Sequence, residues 1–153
     1  MSLSDWERNG WVVPHKSSPN EIRDLLAVVE RDLADSSAKG LSDDWRLNIA
    51  YNAALQAATI ALAGAGYRAA REQHHYRVIQ SLAETIAAPA SLIITFDAFR
   101  KKRNVTGYER VGSVSDADAA EMRKLALTVR DEVIAWIRKR RPELVKGLNL
   151  KKP

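Results

Sequence analysis

The 153-residue sequence predicts an all-α fold on three observations. Apolar residues recur at helical spacing along most of the chain, and the alternation of a half-buried strand is hardly seen. Serine followed by acids stands where these stripes begin, and glycine or proline stands where they end. A composition of 46% hydrophobic and 28% charged residues is that of a folded chain; a disordered one would be poorer in apolar residues and more one-sided in charge. The length fits one domain, since domains commonly run to roughly 100–200 residues.

The first helix is expected in "SPNEIRDLLAVVERDLADS", where Ser18 caps, Pro19 takes the first helical position and Glu21 completes a capping box. Its stripe is Ile22, Leu25, Leu26, Val29 and Leu33. The second opens at Ser42 with Asp43 and Asp44 and closes at Gly64 and Gly66. Its small face of Ala50, Ala53, Ala54, Ala57, Ala58 and Ala61 lets other helices approach closely, which marks it as the centre of a bundle. Gly40 allows a short turn before it, which favours an antiparallel pair.

A third helix is expected over roughly 72–87, with His75, Ile79, Leu82 and Ile86 on one stripe and Pro89 beyond its end. The fourth runs over about 90–103 with Leu92, Phe96 and Phe99 inward. Four residues further along that stripe comes Arg103, where the buried face meets the helix end. "NVTGYERVGSVSD" reads as a loop. Ser115 and Asp118 start a fifth helix through Met122, Ala126, Val129, Val133, Trp136 and Ile137, ending before Pro142. The expected organisation is thus an N-terminal arm (1–17), an antiparallel four- to five-helix bundle (18–141) and a loose basic C-terminal tail (142–153).

Composition excludes several chemistries. No cysteine is present, so disulfides, thiolate metal sites and a cysteine nucleophile are ruled out. Three histidines support neither a metal site nor a Ser-His-acid triad: the adjacent His74 and His75 point about 100° apart on a helix, and there is no HExxH. "GAGY" at 64–67 lacks the Lys-Ser/Thr and preceding strand of a phosphate loop. No cofactor is implied. The N-terminus has no signal-peptide core and no stretch nears the roughly 18 apolar residues of a membrane span, so a cytoplasmic address is expected.

Charge is uneven. Residues 1–36 hold seven acids and four bases, whereas 136–153 hold seven bases and one acid. The late part of the chain is suited to polyanions. The densest cluster is "RKKRNVTGYER" at 100–110, with Arg100, Lys101, Lys102, Arg103 and Arg110 against one acid. Cations in the last turn of a helix are favoured by its dipole alone, so a purely structural protein would also carry them. What sets this run apart is the apolar stripe leading into Arg103, with Asn104 and Tyr108 close behind. A guanidinium can hold phosphate oxygens bidentately, an amide can orient it, and an aromatic ring beside cations can stack on a base.

This helix order, with "HH" at 74–75 and "RN" followed by Tyr108 at the end of the fourth helix, resembles the HEPN superfamily of small all-helical domains, in particular its small stand-alone bacterial proteins. The resemblance covers roughly 18–141. It implies a bundle of four or five antiparallel helices and a homodimer in which the two copies of this segment face one another. It also implies an RNA or nucleotide ligand, toxin–antitoxin pairing with a nucleotidyltransferase antitoxin, and a metal-independent endoribonuclease site at Arg103, Asn104 and Tyr108. The family's motif carries a histidine four to six residues after the arginine; here Tyr108 stands in that window and no histidine follows His75. A phenol titrates near pH 10 and is a poor base at neutrality, so RNA binding without cleavage fits the same residues. His75 is expected first as a hydrogen-bonded core residue, with a place in the cleft as the alternative. Two readings from other classes stay open: a dimeric interaction scaffold using Trp6 and Trp11, and non-specific DNA binding through the basic C-terminal helix and tail.

Overall fold

The computed structural model describes residues 1–106 and 114–148. Among these the chain is mostly helical, with one two-stranded sheet. α1 (Leu3–Arg8) and β1 (Val12–Pro14) precede α2 (Pro19–Asp35) and α3 (Asp43–Gly64). β2 (Tyr67–Ala69), α4 (His74–Gln80) and a 3₁₀ turn (Ser81–Ala83) lead to α5 (Ala90–Thr106). α6 (Asp116–Arg140) and α7 (Pro142–Val145) complete the described chain.

Caps set the helix starts as the sequence predicts. The hydroxyls of Ser18, Ser42 and Ser115 accept from the backbone N–H groups of Glu21, Trp45 and Asp118. At α6 the Asp118 carboxylate also accepts from the Ser115 N–H, completing a capping box. At α2 the expected box is incomplete: Glu21 instead turns to His15, whose Nε2 lies 2.7 and 2.9 Å from its two oxygens.

α3 is the centre of the molecule, packing chiefly against α6 and α2. Its six alanines of the small face are all at most 1% exposed, and Leu47, Tyr51 and Leu62 are buried with them. A helix enclosed on nearly all sides has little amphipathic character. At its C-terminal end a side chain on Gly64 would meet Ile137 and Trp136 of α6 at 3.2 Å, and Arg141 Nη1 donates to the Gly64 carbonyl at 2.8 Å. Gly40, at φ +87°, turns the chain between α2 and α3.

Two expectations change, for the third helix and for the C-terminal tail, and the N-terminal arm gains a defined place. The third helix is shorter than 72–87: Ser81 Oγ donates to the Val78 carbonyl and Thr85 Oγ1 to that of Ser81, side-chain bonds that compete with helix continuation, and Ala87 has φ +54°. The N-terminal arm is built into the fold. Trp6 is buried, edge-on to Trp11, and β1 pairs antiparallel with β2 in the register Val12–Ala69, Val13–Arg68 and Pro14–Tyr67. The segment after Arg141, expected as a loose tail, begins with α7, which buries Leu144 and Val145.

Candidate functional site

α5 carries the apolar stripe of Ile93, Phe96 and Phe99 into the interior. Seven residues after Phe96, two helical turns on, the stripe reaches Arg103, which is half-buried with its guanidinium carbon 5.0 Å from the ring centroid of Tyr51. Tyr51 comes from α3, is 1% exposed, and packs against Phe96 with the two rings nearly perpendicular at a centroid distance of 5.7 Å. Its hydroxyl lies 3.2 Å from His75 Nδ1 on α4. One buried phenol therefore touches both the arginine and the imidazole.

In front of this group is a cleft of about 520 Å³ between the start of α4 and the second half of α5. Gln73, His74, His75 and Tyr76 line one wall; Asp97, Arg100, Lys101 and Asn104 line the other. Asp97 holds the cations of its wall, accepting from Arg100 Nε at 2.7 Å and pairing with Lys101 Nζ at 3.6 Å. Arg100 also lies 5.5 Å from the Tyr76 ring centroid. Tyr76 in turn neighbours Arg77, which stacks 3.9 Å from the Trp11 ring, so the N-terminal segment braces this wall.

The expected site residues separate. Arg100, Lys101 and Asn104 line the cleft, and Arg103 contacts Tyr51. Lys102 is committed elsewhere, its Nζ 2.8 Å from Asp118 Oδ2 at the start of α6. Tyr108 and Arg110 lie outside the described residues. His75 is half-buried and hydrogen-bonded, as expected of a core histidine, and lines the cleft as well. Tyr51, Tyr76, Gln73 and Asp97 were not singled out from sequence. Tyr51 carried one signal, a large polar ring among the alanines of α3.

Protonation follows from this packing. Burial lowers the pKa of His75 below its usual value, and the positive charge of Arg103, His74 and Arg100 adds to the effect. Burial pushes Tyr51 up to about 12, with Arg103 and Arg100 opposing and Asp97 reinforcing. Both shifts favour the neutral imidazole and the protonated phenol. Asp118 is held below the usual carboxylate range, first by the hydrogen bond from Lys102 and then by Ser115. Among the described residues no group of three His, Asp or Glu side chains is placed to hold a metal ion, and no helix is long and apolar enough to cross a membrane.

No protein-family model matches the chain, and no curated protein or solved structure is significantly similar to it.

Proposed function

We propose that the protein is a HEPN-like domain that binds RNA or nucleotide through its phosphates in the cleft between α4 and α5. The observation that carries this reading is the facing of Arg100, Lys101 and Asn104 by His75, with Arg103 behind them on Tyr51. Cations and an amide supply donors for phosphate oxygens, and Tyr76 places an aromatic ring at the same opening. On this reading the protein is a degenerate relative of metal-independent endoribonucleases of the toxin–antitoxin type. It acts in the cytoplasm as a homodimer, with a nucleotidyltransferase as the partner of its toxin role.

The test is incubation of wild type and Arg103→Ala with end-labelled mixed-sequence RNA in EDTA, reading binding and cleavage from the same samples. Binding that depends on Arg103 supports the proposal; absence of any interaction refutes it. Cleavage leaving 2′,3′-cyclic ends would restore nuclease activity to the reading.

The scaffold reading loses Trp6, which is buried, and rests instead on Trp45 and Ile94, which are 62% and 68% exposed. Large apolar side chains in water suit a protein interface. In that case Arg103→Ala alters dimerisation or stability and leaves RNA binding unchanged.

A further inference from the structure

The contact between Tyr51 and His75 bears on which nitrogen of the imidazole carries the proton. Tyr51 is 1% exposed, so its hydroxyl proton needs an acceptor inside the protein, and His75 Nδ1 lies 3.2 Å away. An unmatched buried donor would be costly. With Nδ1 accepting, a neutral imidazole carries its hydrogen on Nε2. Burial first, then the positive charge of Arg103, His74 and Arg100, favours the neutral ring, and burial favours the protonated Tyr51 phenol.

We infer that Tyr51 is the positioning residue of the cleft, fixing His75 as a neutral Nε2–H donor that grips a phosphodiester oxygen and withholds the base that strand cleavage requires. This rests on the reading of the cleft as an RNA site. Metal-free cleavage needs an unprotonated acceptor aimed at the 2′-hydroxyl. An Nε2–H imidazole offers the opposite polarity and joins Arg100, Lys101 and Asn104 as one more donor to the same anion. The ligand this suits is an intact single-stranded RNA, held and released uncut.

Two measurements test it. Long-range proton–nitrogen NMR correlations of the three imidazoles, assigned with His75→Gln, are expected to show Nε2–H at His75 in wild type at neutral pH. Tyr51→Phe keeps the ring but loses the donor, and should remove that fixed tautomer. An Nδ1–H tautomer in wild type overturns the inference. In RNA binding, the amide of His75→Gln replaces the Nε2–H donor, so affinity should stay within about twofold, whereas His75→Ala should weaken it by about tenfold or more. Cleavage in EDTA that His75→Gln abolishes while binding persists would make His75 a proton carrier and overturn the inference. If wild type binds no RNA, the RNA reading and the grip on phosphate fall together, and the NMR result still decides whether Tyr51 sets the tautomer.

Discussion

The phenol of Tyr51 and the imidazole of His75 meet at 3.2 Å across α3 and α4, while the guanidinium of Arg103 sits 5.0 Å from the same phenol ring. A residue deep in the central helix thus links side chains from two other helices at the mouth of the cleft. Its ring and its hydroxyl have separable duties.

That separation is measurable as stability. Tyr51→Phe removes one buried hydrogen bond and should cost about 1 kcal/mol. Tyr51→Ala empties a site that is 1% exposed and should cost about 3–5 kcal/mol, the range for large aromatic truncations. Urea midpoints at constant m-value check both; equal losses would show that the ring contributes nothing.

The phenol also sets an alkaline limit. A folded pKa of about 12 lies above the unfolded value near 10, so the folded state holds this proton more tightly. The associated stability is complete below pH 10 and is lost as pH rises toward 12. Absorbance titration of the folded protein should show a late-ionising tyrosine that disappears in Tyr51→Phe.

On the acid side the sign belongs to His75. Its folded pKa is depressed, so as pH falls through about 6.5 the unfolded chain takes up a proton before the folded one does. Stability drops through that window and the loss levels off below the folded pKa. Denaturation midpoints between pH 7.5 and 5 should fall less steeply in His75→Gln than in wild type.

The two lysines of α5 each pair with a carboxylate and divide by place. Lys101 lines the cleft, and its loss should reduce the slope of log affinity for RNA against log salt by about 0.7. Lys102 is engaged by Asp118, so Lys102→Ala should leave that slope unchanged and cost at most about 1 kcal/mol of stability. Equal slope changes in the two variants would refute the division.

Much of this scaffold was legible because its signals are local. Ser18, Ser42 and Ser115 announce helices in their own neighbourhoods, and the stripe through Phe96 and Phe99 leads to Arg103 by spacing alone. The contact of Tyr51 with His75 joins residues 24 apart, and no periodicity within either helix encodes it. β1 and β2 are three residues each, too short for alternation to register. Glu21 fits a capping box by position, yet its carboxylate goes to His15, brought to it by the pairing of β1 with β2. Lys102 reads as part of a basic run until Asp118 of the next helix is placed beside it.

The pairing of β1 with β2 also orders events during synthesis. Val12–Pro14 leaves the ribosome first, and its partner Tyr67–Ala69 follows about fifty residues later, a delay of roughly 3–10 seconds at ordinary elongation rates. Through that interval the early strand has no mate, and its three-residue length and terminal proline make it a poor template for a stranger. The strand can pair only after α3 and β2 have been made, so this seam closes no earlier than the emergence of Ala69.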